Sequence, residues 1–269
     1  MAGYVLAYPK LIMKRLFKIL FFGLFAAFLS CEKDKKTEPA PGVDTGNLNI
    51  NFSNLVDTSA LAFGKKYMNA NGDTFTVDKF NYIISNVVIT KNDNSNFSEA
   101  NSYHIIRQSS SANNQISIVG VSVGTYKSIS FMLGVDSVTN SSGSKTGELD
   151  LSKASDMYWD WSTGYIALKL EGTSPQSGAS TKRLTFHVGG YGGVNKAQRT
   201  FNLGFGGAAA NVSKTTTPTL YLSVDANELF KSPTTVKFAT QYFQMSAGSG
   251  AKVYADNYTD MIKFEKVLN

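Results

Sequence analysis

The sequence predicts an all-β protein, an antiparallel β-sandwich with Greek-key, immunoglobulin-like connections and one or two short helical turns. β-Branched and aromatic residues alternate with polar residues, and clusters of Gly, Asn, Ser and Pro separate these alternating segments. About 220 residues follow position 46, enough chain to bury a substantial core. We therefore predict a single β-sandwich domain over residues 47–269.

The elements follow from this alternation in chain order. In the first strand Leu48, Ile50 and Phe52 alternate with asparagines, and the second strand, 80–90, is apolar on both faces along part of its length. Further strands are predicted at 103–107, 115–119, 127–133, 166–170, 184–188, 201–203 and 220–224. Helical turns are predicted at 227–231 and within 255–263, and exposed loops at 92–101, 137–147 and 174–182.

The first thirty residues differ from the rest of the chain. Four basic residues precede an apolar run at 19–29, and the leader contains no acidic residue. That run is about 11 residues long, whereas a membrane-spanning helix needs roughly 20. Residues 1–30 are therefore predicted to be a signal peptide, with Met13 as an alternative start.

Cys31 is the single cysteine of the chain and directly follows the leader. This position resembles the lipobox of bacterial lipoproteins, in which the cysteine becomes the acylated first residue. We expect Cys31 to anchor the protein to a membrane, residues 31–46 to form a flexible tether, and the protein to be an outer-membrane lipoprotein of the cell envelope, facing the periplasm or the surface. The alternative is an incidental cysteine that is removed by ordinary cleavage.

The net charge of +6 comes largely from the leader. Without its four basic residues, 22 of the 26 Lys and Arg remain against 20 acidic residues. A nearly neutral domain without a basic block is not expected to bind nucleic acid. There is also no His-Glu-x-x-His pair and no phosphate-binding loop, so we predict a protein that is not an enzyme. A hydrolase would need paired carboxylates at a separation that sequence does not give.

The chain contains two histidines, His187 and His104. His187 is out of phase with the apolar residues around it, so strand alternation places it on the opposite face, together with Thr185. It is either a hydrogen-bonded histidine near a sheet edge or a ligand for copper or zinc. The same two interpretations apply to His104, which follows Tyr103.

Both tryptophans, Trp159 and Trp161, lie in one aromatic segment at 157–165. An extended backbone would place the two indoles on one face, about 6.6 Å apart. Such a pair covers a core or stacks on a sugar ring, and Tyr158 and Tyr165 of the same segment are further candidates for a ligand face.

The order of several short motifs resembles the MbnP-like copper-binding proteins, a family associated with methanobactin operons that includes many lipoproteins of Bacteroidetes-type bacteria. The likeness runs from Leu48 to Val224. The motifs are Tyr82-Ile83-Ile84-Ser85-Asn86-Val87, Gly124-Thr125-Tyr126, Phe131-Met132-Leu133-Gly134-Val135-Asp136-Ser137, Met157-Tyr158-Trp159-Asp160-Trp161, Gly164-Tyr165, Leu170-Glu171-Gly172 and Phe186-His187-Val188-Gly189-Gly190.

This resemblance implies a periplasmic or surface copper protein in which a partner di-haem peroxidase oxidises a tryptophan to kynurenine. It makes Trp159 the modified residue, with Trp161 as the alternate, and His187 the imidazole ligand. The relatives supply a second histidine two residues after the modified tryptophan, where this chain has Trp161. His104 from another strand, Met157 or a carboxylate would have to take that place, or copper binding has been lost.

Two hypotheses follow for the function. The first is an envelope-anchored lipoprotein that binds copper, with an oxidised tryptophan and His187 as ligands. The alternative is a metal-free β-sandwich module that binds carbohydrate or another envelope protein through its exposed aromatic residues.

Overall fold

The structure is a computed structural model that describes residues 42–109, 114–142, 145–162 and 164–269. The predicted signal peptide (1–30), Cys31 and most of the predicted tether lie outside the described residues. Within the described part, no helix is both long enough and apolar enough to cross a membrane. Two sheets share one apolar core in this part of the chain, and the predicted β-sandwich is confirmed.

The smaller sheet has five strands among the described residues. They are β1 (Thr45–Val56), β2 (Ser59–Ala60), β7 (Gln115–Ser122), β13 (Thr219–Asp225) and β15 (Ile262–Leu268). β1 is central and pairs antiparallel with β2 and β7. On its other side β1 pairs in parallel with β13, which in turn pairs antiparallel with β15. The first and the penultimate of these strands in the chain are therefore neighbours.

The larger sheet has ten strands in the same part of the chain. They are β3 (Tyr67–Met68), β4 (Thr74–Lys91), β5 (Asn96–Ser98), β6 (Tyr103–Arg107), β8 (Gly124–Leu133), β9 (Ile166–Thr173), β10 (Arg183–Gly189), β11 (Arg199–Gly204), β12 (Ala210–Val212) and β14 (Phe243–Gln244). The main path runs β11-β8-β4-β9-β10-β14, and β3, β5 and β6 also pair with the 18-residue β4. Pairing is antiparallel except between β10 and β14.

The main core lies between the two sheets and is built from alternate residues of their strands. Phe52 of β1 packs edge-on against Tyr82 of β4 and Phe131 of β8, with ring centroids 6.1 and 6.4 Å apart. Edge-to-face rings at this distance add to the free energy gained from burial. The Tyr82 hydroxyl donates a hydrogen bond to Asn54 at 2.9 Å, so the polar end of this buried ring is satisfied.

β4 is buried on both faces, as its sequence predicted. Ile84 belongs to the core between the sheets, whereas its neighbour Ile83 belongs to a second apolar cluster on the outer face of the larger sheet. We call this second group the outer cluster, and it consists of Ile83, Ile105, Val135, Leu149, Ala154, Met157, Trp159, Tyr165 and Ile166. A segment between β8 and β9 therefore covers part of the sheet's outer face.

Three α-helices are described: α1 (Ser137–Ser141), α2 (Leu151–Ala154) and α3 (Ser249–Asn257). The predicted loop at 137–147 begins with α1 because Asp136 caps it, accepting a hydrogen bond from the Thr139 backbone N–H at 2.9 Å. The helical turns predicted near the C-terminus occur as the 3₁₀ helix Ala226–Phe230 and as the end of α3 with the 3₁₀ helix Tyr258–Asp260.

A charged network links the smaller sheet to the Ala226–Phe230 turn. The Lys231 ammonium lies 2.8 Å from a carboxylate oxygen of Asp57, 2.8 Å from one of Asp225 and 3.2 Å from one of Glu228. Burial alone would raise the pKa of Asp57, but hydrogen bonds from Lys231 and Asn227 outweigh burial and lower it. The ionised carboxylate is therefore favoured in the folded protein.

We predict that Lys231→Met lowers the free energy of unfolding by about 1–2 kcal/mol at neutral pH, because three carboxylates lose their shared cation. The pKa of Asp57 is depressed, so its contribution is present above the pKa of an unfolded aspartate, about 3.9, and is lost on further acidification. Urea denaturation should therefore show the two proteins converging at low pH. The control is Lys153→Met, which removes a single ion pair whose two side chains, Lys153 and Glu148, are each about half exposed. It should change the free energy of unfolding by less than about 0.5 kcal/mol.

Candidate functional site

His187 lies on β10 and faces the outer side of the larger sheet, as strand alternation predicted. Its neighbours Phe186 and Val188 are fully buried in the core between the sheets. His187 itself is only 6% exposed. The His187 imidazole is therefore buried on the outer face of the larger sheet, the face that strand alternation assigns to polar residues.

The His187 ring makes one hydrogen bond and leaves one nitrogen free. Nε2 lies 2.8 Å from Oε1 of Glu171, a residue of the neighbouring strand β9. Nδ1 is buried and has no hydrogen-bond partner among the described residues. Burial lowers the pKa of His187, and the hydrogen bond to Glu171 only partly offsets this effect, so the neutral ring is favoured at neutral pH.

Trp159, from the turn between β8 and β9, packs on the same face over Gly189, which lies two residues beyond His187 on β10. A Cβ built on Gly189 would be 2.9 Å from Cη2 and Cζ3 of Trp159, so the six-membered part of the indole lies directly over this glycine. Positions 187 and 189 of a regular strand share a face and are about 6.6 Å apart. The pairing with β9 is irregular between Val188 and Gly189, but Gly189 lies opposite Ile166 of the outer cluster and so also faces outward. Trp159 is 3% exposed, and its Nε1–H, like Nδ1 of His187, is buried without a partner among the described residues.

The segment that carries Trp159 is held onto the sheet through Asp156. Arg107 donates to the Asp156 carboxylate at 2.7 Å and Asn81 donates at 3.2 Å. The buried Lys169 donates to the Asp156 backbone carbonyl, and burial lowers the pKa of this lysine. These contacts connect strands β4, β6 and β9 to the turn that positions Trp159.

A turn brings the two tryptophans together where the sequence suggested an extended strand. The Trp159 backbone N–H donates to the Gly164 carbonyl at 3.0 Å, which closes the turn. The indole rings are 5.6 Å apart and inclined by 40°. Trp161 is 62% exposed, so the pair has one buried and one accessible member.

The two tyrosines proposed as a ligand face support this turn. Their rings pack edge-on with centroids 5.1 Å apart, and their backbones form a bridge. The hydroxyl of Tyr165 donates to the Leu149 carbonyl, so it is already engaged. Tyr158 is half-buried against it.

His104 lies on the other face of the sheet. It pairs with Ile84 across β6 and β4, and Ile84 belongs to the core between the sheets. Its Nε2 lies 2.9 Å from a carboxylate oxygen of Glu99. The structure therefore brings Trp159, Trp161 and His187 to one face and keeps His104 apart from them.

Sequence reasoning gave no role to Glu171 beside His187 or to Gly189 beneath Trp159. A signal for Glu171 was present, because Lys169 and Glu171 alternate with the core residues Leu168 and Leu170 and must face outward. No signal in the sequence identified Gly189, since its role depends on a turn that lies elsewhere in the chain.

The pattern Gly-x-Ser-x-Gly occurs at 120–124, a sequence that can mark a hydrolase nucleophile. Here it connects β7 and β8, whereas a nucleophile elbow connects a strand to a helix. The Ser122 hydroxyl is 2.9 Å from the hydroxyl of Tyr126, and both histidines are paired with glutamates elsewhere. The pattern therefore lacks the context of a catalytic serine.

A cleft of about 440 Å³ opens beside Trp159. Tyr191, Asn195 and Ser162 line it together with several glycines, and it has no charged side chain in its lining. Across the described residues, no group of three or more His, Cys, Asp or Glu is placed to hold a metal ion. The site therefore offers one free imidazole nitrogen, an indole and an uncharged cleft.

Comparison with known proteins gives one family and one structure. The model of the MbnP family matches residues 45–249. MbnP from Methylosinus trichosporium is similar in structure with a TM-score of 0.52 and 12% sequence identity, over 73% of this chain and 80% of that chain. No curated protein matches the sequence. At this identity the structural match shows a shared fold.

We predict that Gly189→Ala displaces Trp159, because the new Cβ would lie 2.9 Å from both the indole and the Tyr165 carbonyl. Overpacking of this kind costs about 1–3 kcal/mol, and the fluorescence of Trp159 should move to longer wavelength as the ring leaves its buried position.

The matched control is Gly192→Ala in the same region, since a Cβ there meets no atom within 4 Å and φ is −119°. It should leave both the emission and the free energy of unfolding close to wild type. Equal behaviour of the two variants would contradict the close packing of Trp159 on β10.

Proposed function

The chain belongs to the MbnP family, and on that premise we propose that it is a copper-binding protein of the cell envelope without turnover of its own. The observation that carries the proposal is that two buried nitrogens without a hydrogen-bond partner among the described residues, Nδ1 of His187 and Nε1 of Trp159, lie on one face of the larger sheet. The other three such atoms are side-chain oxygens of Asn114, Gln198 and Asn227. Buried polar atoms are nearly always paired, so two orphans at neighbouring positions suggest a missing ligand or a chemical change.

The two residues fit copper to different extents. An unprotonated imidazole nitrogen is a good copper ligand as it stands. The indole nitrogen carries a hydrogen and only donates, so Trp159 in its present form is not a ligand. Oxidation to kynurenine by peroxide breaks the Cγ–Cδ1 bond of the five-membered ring and releases Cδ1 as formate. It leaves an aromatic amine and a ketone, both of which carry lone pairs.

Exposure suggests how oxidation would reach this site. Trp159 is enclosed, whereas Trp161 is 62% exposed and packs against it. A di-haem peroxidase that docks at this face would meet Trp161 first, which keeps Trp161 as the alternate site of modification. Trp161 occupies the position where relatives have a second histidine. No His or Cys among the described residues replaces that histidine at this face.

We predict that the protein coexpressed with a di-haem peroxidase gains mass at Trp159 or Trp161 and then binds one copper ion. His187→Ala should abolish stoichiometric binding. His104→Ala is the matched control, because it removes a histidine with the same glutamate pairing from the opposite face, and it should bind like wild type. Intact mass, peptide mapping and titration against a weak chelator measure these effects.

The alternative, a metal-free module that binds carbohydrate, rests on the uncharged aromatic cleft beside Trp159. It predicts that a sugar quenches tryptophan fluorescence without metal and that His187→Ala leaves this quenching unchanged. Sugar-dependent quenching together with no copper binding and no mass change would replace the copper proposal by this alternative.

The envelope location rests on the leader and on Cys31. We predict that the full chain incorporates labelled fatty acid and sediments with membranes, because several acyl chains on one residue hold a protein stably on a bilayer. Cys31→Ser should lose the label and release the protein from the membrane fraction. Unchanged sedimentation of that variant would contradict a lipid anchor at Cys31.

A further inference from the structure

The contact between Glu171 and His187 determines both the position of the imidazole ring and which of its nitrogens carries the proton. Glu171 approaches His187 from one side along the sheet, since Glu171 lies opposite Thr185 in the pairing of β9 with β10. Trp159 lies over Gly189, on the other side of His187 along the same strand. Along β10, His187 therefore lies between Thr185, which is opposite Glu171, and Gly189, which the indole covers.

The hydrogen bond specifies which ring nitrogen carries the proton. A carboxylate can only accept, so the 2.8 Å contact requires Nε2 to be the donor. A proton on Nδ1 would be a buried donor without an acceptor among the described residues, so Nδ1 carries the lone pair. Nδ1 is buried and accepts no hydrogen bond from any described residue, so its lone pair is available.

Two cations lie beside the second carboxylate oxygen of Glu171. This oxygen, Oε2, is 3.7 Å from the Lys79 ammonium and 3.9 Å from the Arg183 guanidinium. Two cations therefore hold Oε2 and leave Oε1 for the histidine.

We infer that Glu171 is the positioning residue of this site: it holds His187 through Nε2 and leaves Nδ1 as the nitrogen that binds the metal. In metal sites, a carboxylate behind a ligating histidine fixes the tautomer and the orientation of the ring. The inference rests on the proposed copper function, but the tautomer of His187 is a property of the metal-free protein. The two are therefore tested separately.

The first measurement is nitrogen NMR of the imidazole in the wild-type, metal-free protein. We expect His187 to be neutral with the proton on Nε2. A proton on Nδ1 would overturn the inference. Addition of Cu(I), which is diamagnetic, to the protein coexpressed with a di-haem peroxidase should shift the Nδ1 resonance and leave the Nε2–H signal in place. Loss of the Nε2–H signal on metal binding would show that Nε2 is the ligand and would also overturn it.

The second measurement is copper affinity in variants. Glu171→Ala should weaken binding by roughly 10- to 100-fold, in the range found when such partners are removed. Glu171→Gln should restore much of the loss, because its amide oxygen still accepts from Nε2. Glu99→Ala is the matched control, since it removes the carboxylate from the other His–Glu pair, and should bind like wild type.

Wild-type affinity in Glu171→Ala would overturn the positioning role. Absence of copper binding by wild type, with the Nε2–H tautomer intact, would refute the proposed function and with it a role of Glu171 toward metal. That outcome differs from failure of the inference alone, in which wild type binds copper and the variant binds equally well.

Discussion

Burial of both faces of the larger sheet is the constraint on which the rest of the molecule depends. One face forms the core against the smaller sheet, and the residues that alternate with it cannot remain in water once the segment between β8 and β9 covers the other face. Ile83, Ile105 and Ile166 meet this condition by being apolar. The polar residues of the same face must instead find partners, because an unpaired buried polar group costs about 1–3 kcal/mol.

The polar residues of this face are paired either with the covering segment or with one another. Asp156 receives bonds from Arg107 and Asn81, and Glu171 is shared between His187 and two cations. Against this background Nδ1 of His187 and Nε1 of Trp159 have no partner among the described residues; the other such atoms are side-chain oxygens of Asn114, Gln198 and Asn227. Two unpaired buried nitrogens on one sheet face are a better indication of a ligand site than the amino-acid types alone, because His104 has the same type and lies on the other face.

The two histidines illustrate this difference. Each is bound through Nε2 to a glutamate, and each was an equal candidate as a metal ligand by residue type. They lie on opposite faces of one sheet, and only His187 combines deep burial, a free Nδ1 and a neighbouring indole. Residue type therefore identified both histidines as possible metal ligands, and their positions on opposite faces of the sheet distinguished His187 from His104.

The sequence by itself determined the β-sandwich, the two-sided strand β4 and the outward orientation of His187, because a period of two residues decides which face a side chain occupies regardless of what lies beyond the sheet. It also suggested that Trp159 and Trp161 lie close together. Only the tertiary structure decided that a turn joins them, that Gly189 receives the indole and that Glu171 binds His187. The physical reason is that these contacts join residues from separate strands and a covering segment, and their distances depend on strand register and on packing, which no local pattern encodes.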